Sequence, residues 1–213
     1  SITIPEGVTS IGNRAFDDCS SLISINIPDS VISIGEKTFL RCTSLTSITF
    51  GKNSKLTSIG EQAFAGCTSL TGITIPDSVT SIENTVFSGC TSLTKVIFEE
   101  NSKLTSIEVG AFKQCISLTT ITIPNGVTSI GTAAFRDCTS LTSVTIPDSV
   151  TSIGGRGFYA CTSLTEVTFL GDSPKVENYV FNRATPTIYR KPEAKGWGDT
   201  WGGRPVKLIS EKP

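Results

Sequence analysis

Eight phenylalanines, Phe16, Phe39, Phe64, Phe87, Phe112, Phe135, Phe158 and Phe181, stand 23, 25, 23, 25, 23, 23 and 23 residues apart. A period of that size specifies a solenoid, in which each repeat is one coil that cannot bury its apolar face alone. The 213 residues therefore count coils and not globular domains. Residues 1–184 are expected to form one elongated array of about seven to eight coils of 23–25 residues, the first truncated. Residues 185–213 leave the pattern and are expected to form a capping segment.

One coil reads out from Cys67. Leu70, Ile73 and Ile75 lie on an L-x-x-L-x-L spacing in which apolar and polar residues alternate and β-branched types are frequent, the pattern of a half-buried strand. Pro76-Asp77-Ser78 then turns the chain, because proline presets φ and Asp and Ser hydrogen-bond their own backbone. Val79 and Ile82 mark a second short extended stretch. From there through Phe87 to Cys90 the apolar residues fall three and four apart, which predicts a helical or 3₁₀ turn. Stacked coils would place like residues about 4.8 Å apart as parallel strands. Leucine, isoleucine and phenylalanine ladders such as Leu22 to Leu164 and Ile11 to Ile153 would then share one core.

The two 25-residue intervals have one cause. Gly51-Lys52-Asn53-Ser54-Lys55-Leu56 and Glu99-Glu100-Asn101-Ser102-Lys103-Leu104 replace the shorter Pro-Asp-Ser-Val turn and should bulge from one edge, either as contact loops or as tolerated longer turns. Each of the seven cysteines follows a repeat phenylalanine by three residues. No two are close enough in sequence for a zinc site, so buried thiols acting as small hydrophobes, or disulfides between coils, are the readings that remain.

Composition narrows function. The chain has no histidine, which removes Ser-His-Asp and Cys-His catalysis, and the one glycine-rich run, Gly154-Gly155-Arg156-Gly157, lacks the Lys-Ser/Thr of a phosphate cradle. Neither an enzyme nor a cofactor is indicated. A net charge of −1 with sparse charges offers no field for nucleic acid, and no apolar run approaches the roughly 20 residues that cross a bilayer. Methionine is absent, and Ser1-Ile2-Thr3-Ile4-Pro5 matches the middle of the segment Gly72-Ile73-Thr74-Ile75-Pro76. The chain is therefore expected to open part-way through a coil of something longer.

The recurring pattern Leu-x-x-Ile-x-Ile-Pro-Asp-Ser-Val-Thr-Ser-Ile-Gly-x-x-Ala-Phe-x-x-Cys resembles the BspA-type leucine-rich repeat over about residues 1–184. The resemblance implies an α/β solenoid: a right-handed curved coil array with a parallel β-sheet on the concave face and short strands and 3₁₀ or helical turns opposite. It also implies a secreted or cell-surface protein that adheres to host or neighbouring-cell proteins without catalysis. Gly196 to Pro205 resembles the segment that often ends such arrays; Trp197 and Trp201 would cover the open end or form an aromatic binding patch.

On the sheet face the outward residues are mostly Ser and Thr, among them Thr49, Thr74, Thr122 and Thr145. Lys95 and Ile97 break that monotony beside Glu99 and Glu100. These, with Lys52 and Lys55 of the first lengthened turn, are the candidate protein-binding residues. The alternative is a structural spacer or a stalk that associates end to end, favoured by the uniformity of the face.

Overall fold

The computed structural model describes residues 2–212. Every coil contributes one longer strand and one two-residue strand, which pair in parallel with their equivalents except between Ser47–Phe50 and Gly72–Ile75. The longer strands run from Ile2–Thr3 through Ser24–Ile27, Ser47–Phe50, Gly72–Ile75, Lys95–Phe98, Thr120–Thr122 and Ser143–Ile146 to Glu166–Phe169 and Thr187–Arg190. Their alternation buries Ile25, Ile48, Ile73, Val96, Ile121, Val144 and Val167 and turns the intervening residues outward. The two-residue strands, from Ser10–Ile11 to Lys175–Val176, form a second, unbroken eight-stranded sheet. Its inner isoleucines are buried.

The expected helical or 3₁₀ turns are not what connects these sheets. Among the described residues the one helical segment is the 3₁₀ turn Ile209–Glu211 in the tail, so the chain is a β-solenoid and not an α/β one. Around each phenylalanine the backbone donors alternate. Ala15, Asp17 and Cys19 donate three residues back, to Gly12, Arg14 and Phe16, at 3.3, 3.2 and 3.1 Å. Arg14, Phe16 and Asp18 instead donate to Glu36, Thr38 and Leu40 of the next coil at 2.9, 2.8 and 2.8 Å. The three-residue reach is that of a 3₁₀ helix, which explains the apolar spacing. However, the residues two before and two after each phenylalanine take positive φ, as at Arg14 (56°), Asp18 (57°), Tyr179 (63°) and Arg183 (62°). That conformation stops a helix and sends alternate N–H groups to the neighbouring coil, at about 1–2 kcal/mol for each non-glycine residue.

The phenylalanines stack as a single column. Seven consecutive ring pairs have centroids 5.1–5.6 Å apart, and six of them lie within 9° of parallel. Beside them all seven cysteines are free, and six are buried. From Cys42 to Cys161 each buried thiol donates to the carbonyl of a phenylalanine in the preceding coil at 3.0–3.2 Å. Burial pushes the Cys90 and Cys161 thiols up to about 12, so they stay protonated and keep donating at neutral pH. Threonine rows at the corners serve the same end: Thr57, Thr80, Thr105, Thr128 and Thr151 each donate a hydroxyl to the equivalent carbonyl one coil back.

Glycine recurs after the short strands because coils approach closely there. A Cβ on Gly60 would lie 2.7 Å from the Glu36 backbone nitrogen, and one on Gly154 2.5 Å from that of Thr132. Where glutamate replaces glycine the coils yield. The Glu83 N–H reaches the Ile59 carbonyl at 3.4 Å, against 2.9 Å for Gly60 to Ile34.

The tail continues the long-strand sheet. Arg204–Leu208 pairs in parallel with Thr187–Arg190, and Thr200–Trp201 folds back antiparallel on it through Gly202 and Gly203. Trp201 is buried edge-on against Phe169 (4.9 Å) and Phe181 (5.9 Å), and its indole N–H reaches the Pro174 carbonyl. Trp197 packs half-buried against the same Phe169 at 4.9 Å. With Trp201 buried, the pair is not an open aromatic patch.

Candidate functional site

The long-strand sheet is broken once and its pairing shortened twice, and a single residue type marks these places. Where the residue after the later strand carries an N–H, pairing spans four residues. This holds for the strands before Gly51, Glu99, Leu170 and Lys191. Gly51, Glu99 and Leu170 donate that N–H to Ile27, Ile75 and Ile146 at 3.0, 3.1 and 3.0 Å. Proline has no N–H to give. Pairing accordingly shrinks to three residues before Pro147, to two before Pro124, and to none before Pro76.

The two larger openings, before Pro76 and Pro124, also follow the two lengthened turns. The strands there end in Phe50 and Phe98, which are half-buried, whereas Ile27, Ile75 and Ile123 are buried at the same position. Between Lys95–Phe98 and Thr120–Thr122 the divergence leaves a groove of about 580 Å³. Lys95, Ile97 and Glu99 line one side and Thr120, Thr122 and Pro124 the other. A smaller cavity of about 210 Å³ lies towards the other opening, between Ile48 and the Gly72–Thr74 backbone, and Lys95 and Ile97 line it as well. The ribbon of Gly72–Ile75 and Lys95–Phe98 is thus unpaired with Ser47–Phe50 on one side and held to Thr120–Thr122 through Lys95 and Val96 alone on the other. Lys95 sits opposite Gly72 and Ile97 opposite Thr74.

All ten residues singled out from the sequence are exposed, but they do not form one site. Lys95, Ile97, Glu99 and Thr122 line the larger groove, and Thr74 joins Lys95 and Ile97 in the smaller one. Ile97 leaves 40% of its surface in water. Glu99 is partly structural, its carboxylate accepting the Asp77 N–H at 3.1 Å. Thr49 lies beyond the break and donates to the Asn26 side chain at 3.0 Å. Thr145 belongs to the regular sheet opposite Thr122, and Glu100, Lys52 and Lys55 line neither cavity. Asn101, Ser102, Asn125 and Gly126 also line the larger groove and are not apparent from the face pattern. Asn101 and Ser102 belong to the second lengthened turn, one of the two candidate contact loops; for Asn125 and Gly126 the signal is Pro124, whose missing N–H leaves the strands unpaired there.

The face also ends earlier than the alternation implies. Thr168 is only 8% exposed, beside the buried Tyr189. The Lys212 ammonium reaches back to the Glu166 carboxylate at 3.0 Å and over the Tyr189 ring at 5.1 Å. Among the described residues no group of His, Cys, Asp and Glu could hold a metal ion, and no helix is long and apolar enough to cross a membrane.

The chain matches the family model described as BspA type leucine rich repeat region, in six copies, over residues 1–109 and 57–188. Among solved structures it is similar to a leucine-rich repeat protein from Bacteroides ovatus, with 30% identity and a TM-score of 0.66 over 98% of this chain and 60% of that one. A leucine rich cell surface protein from Faecalibacterium prausnitzii is 28% identical, with a TM-score of 0.53 over 87% of this chain and 68% of that one. The leucine rich repeat protein of T. pallidum is 27% identical, with a TM-score of 0.54 over 89% and 72%. No curated protein matches.

Proposed function

Because the chain belongs to the BspA-type leucine-rich repeat family, we propose that it is a non-enzymatic protein-binding module of a secreted or cell-surface protein, engaging its partner through the concave long-strand face. The observation that carries this reading is the strip bearing Lys95 and Ile97, which lies between the one break of the sheet and the place where pairing narrows to two residues. Elsewhere the face offers small hydroxyl side chains, which give shape and weak hydrogen bonds but few anchors. At the strip it offers an ammonium, an exposed isoleucine, a carboxylate and a groove deep enough to take a side chain. Residues 185–213 act as the end cap, a role supported by Trp201 against Phe169 and Phe181. The surface location is supported by the similar protein from Faecalibacterium prausnitzii, which is described as a cell surface protein.

The test is affinity capture of surface proteins from host and neighbouring-cell extracts, with Lys95→Glu combined with Ile97→Asp as the comparison. The double variant is expected to lose the captured partner while its circular dichroism is unchanged. Retained capture rejects the strip as the site. Failure of the wild-type chain to capture any protein favours the spacer or end-to-end stalk, the reading supported by threonine hydroxyls spent on inter-coil bonds.

A further inference from the structure

Away from the sheet face, the turn side of the last three coils concentrates the residue types that dominate protein hot spots. Two of the three tyrosines and three of the seven arginines of the chain lie there: Arg136, Arg156, Tyr159, Tyr179 and Arg183. The Arg136 and Arg183 guanidiniums sit 5.2 and 5.8 Å from the centre of the Tyr159 ring, so one ring is shared by cations from the coils on either side. Two acids lie nearby, against three arginines. Asp137 accepts from Arg136 Nε at 3.2 Å, and Glu177 accepts the Gly155 N–H at 2.8 Å. Arg156 and Arg183 form no ion pair among the described residues.

Three of these residues stand at the left-handed positions that recur two before and two after every repeat phenylalanine. Arg156, Tyr179 and Arg183 hold φ of 58°, 63° and 62°, at positions that Gly110, Gly66 and Gly89 occupy in the middle coils. Tyr179 leaves 63% of its surface in water. The turn geometry of the repeat accounts for the φ; what is particular to these coils is that an exposed aromatic ring and two exposed guanidiniums stand there.

We propose that this turn-side patch is a second docking surface, for an acidic segment of a protein. Arg156 and Arg183 grip its carboxylates, and its apolar atoms rest on Tyr159 and Tyr179. Guanidinium forks match carboxylates in a bidentate geometry. Two unpaired arginines on a chain of net charge −1 suit a few carboxylates and not a phosphate backbone, which takes many cations in a row. The surface is independent of the sheet-face groove.

Fluorescein-labelled poly-L-glutamate titrated with the intact chain at low salt, followed by anisotropy, tests this. Saturable binding is expected, weakened at least about tenfold by Arg156→Gln with Arg183→Gln. Tyr179→Gly, which relieves the left-handed backbone, should lower affinity without lowering the thermal midpoint. Lys95→Ala with Ile97→Ser should leave binding unchanged. The proposal is overturned by absence of saturable binding up to about 1 mM, or by an arginine double variant within about twofold of the wild type. It is equally overturned by Tyr179→Gly binding as the wild type does, by loss of binding in the Lys95/Ile97 variant, or by heparin or duplex DNA binding more tightly than poly-L-glutamate through the same arginines.

Discussion

Two neighbouring pairs of strands behave differently in one sheet. Ser143–Ile146 and Glu166–Phe169 pair along four residues, closed by the Leu170 N–H on the Ile146 carbonyl at 3.0 Å. Lys95–Phe98 and Thr120–Thr122 pair along two and then part, and the residue that should close them is Pro124. The core does not register the difference. Across the two larger openings the rings of Phe64 and Phe87, and of Phe112 and Phe135, stay 5.6 and 5.5 Å apart, against 5.4 Å for Phe87 and Phe112 within a fully paired segment. Cohesion is therefore carried on the phenylalanine and cysteine side of each coil, and the sheet side is free to open where one donor is lost.

The comparison breaks most visibly if the core is cut. Phe87→Ala and Phe135→Ala should each cost about 3–5 kcal/mol in urea melts, as for other fully buried phenylalanines. Each residue adjoins one of these openings. If either variant lost less than about 1 kcal/mol, the column would not be the core, and the division of labour between the two sides would fail.

A smaller effect moves the break itself. Leu170→Pro removes the donor from a regular pair and should cost about 1–3 kcal/mol, with faster amide exchange along Glu166–Phe169. Pro124→Ala does the reverse, supplying an N–H to the Phe98 carbonyl worth about 1 kcal/mol. The variant also regains unfolded-state freedom worth about 0.4–1 kcal/mol, so stability should barely change. A newly protected amide at position 124 is the readout; an amide that exchanges freely there would show that proline is not what parts the strands.

Much of this was legible from spacing. The phenylalanine interval gave the coil, the alternation in Gly72–Ile75 gave the strand, and the paired Gly51 and Glu99 turns marked the coils beside the openings. What spacing could not show was direction of donation. An interval of three and four between Val79, Ile82, Val86 and Cys90 is common to a helix and to stacked turns; the two differ in whether alternate N–H groups go back three residues or across to the next coil. That choice is made by left-handed residues as unlike as Arg14, Thr85 and Tyr179, whose side chains do not announce it. Likewise Lys95 and Ile97 stood out as departures from Ser and Thr, while the groove beside them depended on a missing backbone hydrogen at Pro124. The face beside Thr168 is closed by Tyr189, and the lysine that reaches over that ring to Glu166 comes from 46 positions beyond Glu166, outside any repeat.

The smallest expected effect tests whether the left-handed turns are a cost carried by the stack. Thr85 is the clearest case, a β-branched residue at φ 54° whose buried hydroxyl has no hydrogen-bond partner. Its N–H donates to the Val109 carbonyl at 2.8 Å, so the inter-coil bond, and not the side chain, holds the conformation. Its methyl also lies where a Cβ on Gly110 would come within 2.9 Å, which explains why glycine stands at that position of the next coil. Thr85→Gly keeps the bond and removes the crowding, and it should stabilise the chain by about 1 kcal/mol once the flexibility of glycine in the unfolded state is set against the relief. Thr80→Gly, at an exposed corner where the hydroxyl bonds the Thr57 carbonyl at 3.1 Å, should instead destabilise. If both substitutions destabilised alike in urea melts, the left-handed turns would be no burden to the coils, and the alternating donation that replaces a helix would need another cause.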